Sequence, residues 1–312
     1  MLQWSHLEDS DWRVRLNALK AMGKLGPETL SYRAGAVVAR LEDSHSDVRQ
    51  EALKTLGNLH PDTLEQVGRA VVARLEDSNR NVVCEAFRTL GKLEPALLAQ
   101  LACTFAASLE DSHSEVRQVA LKTLAKLEQA ALALKADAVV ARLEDSVDEV
   151  RGEALRTLGK LEPMTLAQHA GAVVARLEDS HWSVRKLALE TLGKLEPATL
   201  AQYAGAVVAR LEDSHWNVRT TALETLPLAK LELATLAQHA SAVVARLEDS
   251  HWDVRVRALR TLGELEPLTL AQYADSVVAR LEDYSFEDVR TVALKTLAKL
   301  EPATLAQHAG AV

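Results

Sequence analysis

Cysteine is nearly absent from this chain of 312 residues, which contains only Cys84 and Cys103. A disulfide framework needs a larger, paired set, and a structural zinc site needs several thiolate or imidazole ligands at short, characteristic spacings. Both cysteines lie within helical sequence patterns instead. We therefore expect two ordinary reduced thiols, and a chain that binds no metal and no cofactor.

Aromatic residues are also scarce, at 4% of the chain, although 48% of the residues are hydrophobic. The core must then be built from Leu, Val and Ala, a composition that favours helices. Long apolar runs are missing too, because the longest stretch without a charge, 95–109, is shorter than a membrane span. The N-terminus lacks the apolar segment of a signal peptide. These absences predict a cytoplasmic protein with no membrane partner.

An excess of basic residues is likewise missing, since 36 Lys and Arg stand against 44 Asp and Glu, for a net charge of −8. Duplex nucleic acid and anionic membranes usually require a basic surface that displaces counterions. The charge balance therefore argues against nucleic acid as the main partner, and equally against a membrane.

What the sequence does contain is a short motif that recurs nine times. Leu-Glu-Asp-Ser, or Leu-Glu-Asp-Tyr in the last copy, returns every 34 residues except for one step of 36. A period in this range indicates one supersecondary unit copied in tandem, each copy too small to bury its own apolar face. The copies begin at Leu7, Leu41, Leu75, Leu109, Leu143, Leu177, Leu211, Leu247 and Leu281.

One unit, residues 179–214, contains the patterns of two amphipathic helices. After Ser180, a predicted N-cap, apolar residues recur at helical spacing and predict a first helix, helix A. Pro197 suits the first turn of a second helix, helix B, which carries the same spacing. Nothing alternates with period two, so strands are not expected. The prediction is an all-α chain of about nine antiparallel helix pairs, forming one array over 1–312 with a truncated last pair.

The start of helix A carries a second repeated pattern, an Asp six residues before an Arg that follows a Val. In 177–193 it reads Leu-Glu-Asp-Ser-His-Trp-Ser-Val-Arg-Lys-Leu-Ala-Leu-Glu-Thr-Leu-Gly. This segment resembles a HEAT-like repeat of the PBS-lyase type, and the resemblance covers essentially the whole chain. The Trp, Tyr and Pro positions of a tetratricopeptide repeat do not align with it. The pairs are Asp9/Arg15, Asp43/Arg49, Asp111/Arg117, Asp145/Arg151, Asp179/Arg185, Asp213/Arg219 and Asp249/Arg255.

The resemblance implies a right-handed α-α superhelix, with an Asp–Arg ladder between neighbouring repeats and the B helices on the concave side. Three places depart from the pattern. Val83 replaces the Arg of the third repeat. One extra residue places Arg290 seven positions after Asp283, so the ladder is in doubt there. Two residues are added at 227–229, where we expect a kink.

Catalytic motifs are missing from the repeats. No His-Glu-x-x-His, Gly-x-Ser-x-Gly or glycine-rich phosphate loop occurs, and nine copies of Glu-Asp favour an architectural role over acid catalysis. The predicted function is a non-enzymatic scaffold for a protein or peptide partner of unknown identity. Alternatives are a bilin-lyase-like enzyme, a nucleic-acid-binding HEAT-like protein and an engineered or orphan array. Because the last repeat stops within helix B, end-to-end self-association is a further expectation.

The candidate binding surface is a stripe along helix B. At 100° per residue, Gln202 and the small residues that follow it point away from the buried face, with Tyr203 on one flank. A carboxamide both donates to and accepts from peptide groups, and small residues let a partner backbone approach. The alternative is a solvated face copied by duplication. The predicted partner-binding residues are Gln168, His169, Gln202, Tyr203, Gln238, His239, Gln272 and Tyr273.

Three further columns have architectural interpretations. An Arg seven residues after each flanking Tyr or His is predicted to pair with the Glu-Asp of an adjacent repeat. Aromatic residues in the first turn of helix A are predicted to pack on the next repeat rather than form an exposed strip. The histidines that precede them are predicted to be solvated. These columns are Arg176, Arg210, Arg246 and Arg280; Trp12, Trp182, Trp216, Trp252 and Phe286; and His181, His215 and His251.

Repeats three and four break the helix-B pattern. Leu101 and Cys103 replace polar or small residues, and Leu134 and Lys135 replace the Gln with its His or Tyr. A partner-specific hot spot and simple drift of older copies both predict such changes.

Overall fold

The computed structural model of the chain describes residues 4–226, 233–283 and 286–307, and of residues 4, 5 and 233–238 the backbone alone. Across these ranges the secondary structure is helical, with no strand. The chain folds as two compact units, Met1–Leu161 (unit 1) and Glu162–Val312 (unit 2). The single array over 1–312 stays a prediction.

Helix A is a regular α-helix in all nine repeats. Each copy begins one residue after the N-cap and ends at the Gly or Ala turn before helix B; only repeat seven differs, ending at Thr225. The nine copies are Trp12–Met22, Ser46–Leu56, Arg80–Leu90, Ser114–Leu124, Asp148–Leu158, Trp182–Leu192, Trp216–Thr225, Trp252–Leu262 and Glu287–Leu297.

The N-cap of helix A differs from the prediction by one residue. His181, not Ser180, has the extended cap conformation, and the motif Asp two residues earlier accepts a hydrogen bond from its backbone N–H (3.0 Å). The same Asp-to-cap hydrogen bond recurs at His215 and His251. The Asp of the motif therefore fixes the start of the helix, as expected of an acidic side chain near a helix N-terminus.

Helix B is divided in most repeats, which corrects the prediction of one continuous helix. In repeat six it consists of Pro197–Ala201 and Ala204–Ala209. At the break, Tyr203 N–H donates to the Leu200 carbonyl (2.9 Å), a tightened i to i−3 bond. The other segments are Pro27–Ser31 and Ala34–Val38, Pro61–Val72, Pro95–Gln100 and Ala102–Ala107, Gln129–Ala133 and Ala136–Ala141, Pro163–Gln168 and Ala170–Ala175, Leu233–Ala245, Pro267–Leu270 and Ala274–Val278, and Pro302–Gln307.

Short 3₁₀ turns connect helix B to the next repeat and contain the Leu and Glu of the motif. Pro at the first turn of helix B is confirmed, for example at Pro197. These 3₁₀ segments are Trp4–Glu8, Ala39–Glu42, Ala73–Glu76, Ser108–Glu110, Arg142–Glu144, Arg176–Glu178, Arg210–Glu212, Arg246–Glu248 and Ala279–Glu282; a further one, Ala271–Tyr273, lies at the break in helix B of repeat eight.

The core runs between the A and B helices and is aliphatic, as the composition predicts. In repeat six Val184, Leu189, Leu192, Val207 and Leu211 are no more than 1% exposed. Burial of each such side chain contributes about 1.5–3 kcal/mol relative to exposure. Each helix A also packs along helix A of the following repeat within its unit. A single repeat would leave these apolar faces exposed to solvent, so each repeat is stabilised by packing against its neighbours.

The predicted Asp–Arg ladder is confirmed within both units. Arg15 donates through Nε and Nη2 to the two carboxylate oxygens of Asp43 (both 2.7 Å), and through Nη1 to the Asp9 carbonyl (2.7 Å). Two parallel charge-assisted hydrogen bonds fix both distance and orientation. The equivalent pairs are Arg49–Asp77, Arg117–Asp145, Arg185–Asp213, Arg219–Asp249 and Arg255–Asp283.

Two of the three departures fall on described residues. No arginine takes the place of Val83, so Asp111 is left with the backbone N–H and imidazole of its own His113. Its side chain is 34% exposed, against 4% for Asp213. At the other departure the ladder persists: Arg255 pairs with Asp283, and Arg290 donates to the Asp283 carbonyl (2.8 Å). The kink expected at 227–229 lies outside the described residues.

Candidate partner-binding surface

The helix-B stripe comprises Gln202, Tyr203, Gly205 and Ala206 of repeat six and the equivalent positions of the other repeats. Gln202 and Tyr203 lie at the break in helix B, where Gln202 is exposed and Tyr203 half-buried. A Cβ placed on Gly205, or on Gly171 one repeat earlier, would meet no atom within 4 Å. The stripe is therefore open to a partner backbone, with a carboxamide at its edge.

Most of the predicted residues share these surroundings. Gln168 and Gln272 are exposed like Gln202, while His169 and Tyr273 are half-buried like Tyr203. The side chain of Gln238 lies outside the described residues.

His239 differs from its counterparts. It lies inside the continuous helix Leu233–Ala245 rather than at a break, and its side chain is only 7% exposed. Burial lowers its pKa below the ordinary histidine value, so the imidazole is kept neutral. Such a ring supports the stripe from beneath and offers little surface to a partner.

The arginine column at the end of helix B is architectural, as predicted. Arg210 donates through Nη1 to the Leu177 carbonyl (2.9 Å) and pairs through Nη2 with Glu178 (2.7 Å) of the preceding repeat. In unit 1, Arg74 and Arg142 make the same pairs with the motif Glu and Leu carbonyl one repeat earlier. These guanidinium groups are engaged at the joints, so they add no basic row to the stripe.

The aromatic column forms an inter-repeat ring stack in unit 2. Trp182 stacks on His215 with centroids 4.0 Å apart and ring planes within 3°, and Trp216 stacks on His251 in the same way (4.0 Å, 5°). Contacts within each His-Trp pair at 6.1–6.2 Å and a Trp252–Phe286 contact at 5.1 Å extend it. The predicted inter-repeat packing of the tryptophans is confirmed. The seven rings are His181, Trp182, His215, Trp216, His251, Trp252 and Phe286.

Two of the three histidines predicted to be solvated, His215 and His251, are half-buried, whereas His181 is exposed, as predicted. The Nδ1 of His215 accepts a hydrogen bond from the Asn217 backbone N–H (3.2 Å). Burial, together with the charges of Arg185 and Arg219, lowers the pKa of His215 despite the opposing charge of Asp213. The ring is therefore held neutral and serves both as a helix cap and as a stacking partner.

Unit 1 presents a different helix-B stripe. Tyr32 and Leu134 occupy the Gln column and are 90% and 82% exposed. Between them, a cleft of about 210 Å³ opens between the B helices of repeats two and three, lined largely by apolar side chains. The sequence singles out Leu101 but does not predict the cleft itself. A further local signal is Gly68, at a position where other repeats have Ala.

The chemistry of these surfaces is that of recognition. Amides, hydroxyls and aliphatic groups supply hydrogen bonds and apolar contact. Among the described residues, no group of three or more His, Cys, Asp or Glu side chains is placed to hold a metal ion. Exposed Cys103 accepts a hydrogen bond from Lys135 Nζ (3.2 Å), whereas Cys84 is buried in the core, where burial raises the pKa of its thiol.

Tandem helix pairs with ladders at their joints and a variable open face define an α-solenoid repeat protein. Family models agree on its kind: HEAT repeats match residues 34–125, HEAT repeat matches 4–28, and HEAT repeat associated with sister chromatid cohesion matches 172–192 and 206–226. The chain belongs to the HEAT-like helical repeat family. No curated protein matches the sequence significantly.

Solved structures share the fold at low sequence identity. An engineered protein is similar with TM-score 0.60 and 18% identity, over 95% of this chain and 87% of its own. A chain from the structure in which Kap95p binding induces the switch loops of RanGDP to adopt the GTP-bound conformation has TM-score 0.71 and 13% identity, over 99% and 47%. Importin beta in an ammonium sulfate condition has TM-score 0.68 and 14% identity, over 95% and 45%.

The chain spans somewhat less than half the length of these last two chains. Identities this low relate the folds alone. Within the described residues, no helix is both long and apolar enough to cross a bilayer.

Proposed function

We propose that the protein is a non-catalytic interaction scaffold that binds a protein or peptide partner on the helix-B stripe. The observation that carries this proposal is the open row of the stripe in unit 2, where exposed glutamines recur and two neighbouring repeats carry the unobstructed glycines Gly171 and Gly205. A repeated row of this kind suits a partner whose own groups recur, such as an extended strand or a helix.

The residues of the stripe have separate roles in this proposal. Gln168, Gln202 and Gln272 present carboxamides that donate to and accept from a peptide group. Gly171 and Gly205 permit close approach of the partner backbone. Half-buried rings such as Tyr203 add contact area at low cost in side-chain entropy. Gln238 joins the row by its sequence position, and His239 supports it from within the core.

The engaged arginines bear on the nucleic-acid alternative. A duplex-binding stripe needs free cationic groups, whereas Arg210 is tied to Glu178 and a backbone carbonyl. Of the structural neighbours, one is importin beta and another comes from a complex of Kap95p with RanGDP. We take protein binding to be the shared capacity, and leave the partner's identity to experiment.

The test begins with a partner captured by the intact chain from its native organism, followed by affinity measurements on purified components. Gly205→Leu should weaken binding about tenfold or more, because its side chain fills the space that a partner backbone would occupy. Gln202→Glu and Tyr203→Ala should weaken it as well, with helical circular dichroism unchanged in all three.

The matched control is Arg260→Gln, at an exposed position on helix A of repeat eight. Unchanged affinity is expected for this variant. Equal affinity of the three stripe variants and the wild type would contradict the assignment of the stripe.

A further inference from the structure

The cleft of unit 1 lies between Pro61–Val72 and the helix B of repeat three that begins at Pro95. Its apolar wall is formed by Val72, Leu93, Leu97 and Leu101, and Gly68 forms its floor. Leu97 and Leu101 are half-buried, so each keeps apolar surface open to solvent. At about 210 Å³, the space suits one large aliphatic or aromatic side chain.

Three sequence changes create this cleft. Gly68 replaces the buried Ala that repeat six has at Ala204; a Cβ there would meet Leu93 Cδ1 at 4.0 Å, an ordinary contact, so its absence is what opens the floor. Leu97 and Leu101 stand where repeat six has Thr199 and Tyr203. Nothing in the repeat architecture requires these changes, since repeat six packs well without them.

Two exposed apolar side chains flank the cleft. Tyr32 of repeat one and Leu134 of repeat four lie on either side of it in the Gln column, with the exposed carboxamides of Gln66 and Gln100 between them. With neighbouring helices about 10 Å apart, the row from Tyr32 to Leu134 extends over about 30 Å, the length of a helix of about 20 residues. Large apolar side chains left exposed beside a cleft are typical of an interaction surface.

The charges at the cleft favour an acidic partner. Arg69 lies at one rim, and it forms no ion pair or side-chain hydrogen bond with another described residue. Lys135 lies two repeats further along the stripe and donates to Cys103 Sγ instead of to a carboxylate. In a chain of net charge −8, two cations without carboxylate partners on one face are the distinctive feature. Glu65 lies one helical turn before Arg69 and also lines the cleft, so the Arg69 rim is its positive side.

We propose that the Gly68 cleft binds the apolar side chain of an acidic amphipathic segment of a partner protein, with Arg69 and Lys135 pairing with its carboxylates. This assignment rests on the proposed function, because it names the chemistry of one partner for the helix-B stripe. Burying the apolar side chain supplies affinity, and the two cations set the orientation and discriminate against basic segments.

The experiment uses the full chain and a phage-displayed library of random peptides of about 16 residues, long enough for four helical turns. Enriched peptides are synthesised, and their affinities are measured by fluorescence anisotropy for the wild type and four variants. Gly68→Leu fills the cleft, and Arg69→Glu reverses the rim charge at an exposed position. Gly205→Leu tests whether the same peptides bind to the stripe of unit 2 instead, and Arg260→Gln, at an exposed position outside the stripe, is the control. Circular dichroism checks that each variant is folded.

The expected peptides combine a large apolar residue with Asp or Glu. Gly68→Leu should weaken their binding about tenfold or more, equivalent to about 1.4 kcal/mol. Arg69→Glu should weaken it several-fold and reduce its salt dependence, while the control Arg260→Gln leaves it unchanged. If Gly68→Leu fails to fold, Arg69→Glu and the salt dependence still decide the outcome.

Peptides that bind equally well to the Gly68→Leu and Arg69→Glu variants would overturn the inference. If Gly205→Leu abolishes that same binding, the proposed function stands and only the cleft assignment falls. If no peptide is enriched above background on the wild-type chain, both proposals fall.

Discussion

The two units solve the same packing problem with different side chains. In unit 2 seven rings stack from His181 to Phe286, whereas in unit 1 the described residues include only one such inter-repeat pair, Trp12 on His45 at 3.7 Å. The same column elsewhere in unit 1 contains Ser46, Arg80, Ser114 and Asp148. The Asp–Arg ladder, by contrast, occurs in both. The ladder is therefore the general joint, and the ring stack is an addition to it.

The helix-B stripes of the two units also differ, and here unit 1 is the less regular. Unit 2 has a regular row of glutamine beside His or Tyr, while unit 1 keeps Gln66 and Gln100 in that column but has Tyr32 and Leu134 on either side of them, beside the Gly68 cleft. Since the Asp–Arg pairs Arg15–Asp43, Arg49–Asp77 and Arg117–Asp145 of unit 1 persist beside these changes, the stripe varies largely independently of the packing. Positions that vary without cost to the stack are those at which binding specificity evolves most freely.

Acidification should have the largest effect on stability. Burial raises the pKa of Asp213, but hydrogen bonds from Arg185 and the His215 N–H outweigh it, so the pKa lies below its ordinary value near 3.8. The same holds for Asp43, Asp77, Asp145 and Asp249. A lowered folded-state pKa stabilises the fold above the unfolded value, and that contribution is lost as the pH falls through the folded value. Thermal unfolding midpoints measured over a series of decreasing pH should therefore drop steeply below about pH 4.

A single break in the ladder comes next. Asp213→Asn leaves the half-buried Arg185 without its carboxylate and should reduce the free energy of unfolding by about 2–3 kcal/mol. Asp111→Asn is the matched control, because Val83 leaves that carboxylate without an arginine, and it should cost less than about 1 kcal/mol. Urea denaturation measures both. Equal losses would mean that the Arg pair adds nothing beyond the helix cap that both aspartates form.

The ring stack gives a smaller difference. Trp216→Ala removes a ring between two histidines and should cost about 2 kcal/mol, while Trp12→Ala, which removes an isolated pair, should cost about 1 kcal/mol. Denaturant midpoints at neutral pH compare them. A larger loss for Trp12→Ala would contradict the view that the continuous stack of unit 2 adds stability.

Restoring the Asp–Arg pair that is missing at Val83 should have the smallest effect on stability. Val83→Arg places a guanidinium opposite Asp111, and the Asp77 carbonyl is positioned as the Asp43 carbonyl is for Arg49. A stabilisation of about 1 kcal/mol is expected, because hydrogen bonds offset the desolvation of the new charge. Differential scanning calorimetry would show a raised unfolding midpoint; a lowered midpoint would show that the valine packing is worth more than the pair.

The sequence predicts the nine A helices, the Asp–Arg ladder and its gap at Val83, because these depend on residue type at a fixed period. It does not predict the break at Gln202 and Tyr203, since no Pro or Gly marks it. The stacking of Trp182 on His215 is predicted only in part: the tryptophan is expected to pack on the next repeat, but its histidine partner 33 positions away is not identified. The Gly68 cleft arises from three departures from the repeat, Gly68, Leu97 and Leu101, whose combined effect on the surface appears only when the two neighbouring B helices are packed together.

The proposal places partner binding on the helix-B stripe, while the joints between repeats stabilise the fold. The most direct test is the affinity of Tyr203→Ala and Trp216→Ala for the partner captured from the native organism, measured by calorimetry at a temperature where both variants are folded. Weakened binding is expected for Tyr203→Ala and wild-type affinity for Trp216→Ala. Wild-type affinity for Tyr203→Ala together with weakened binding for Trp216→Ala would place the binding surface on the ring stack. That result would contradict the proposal.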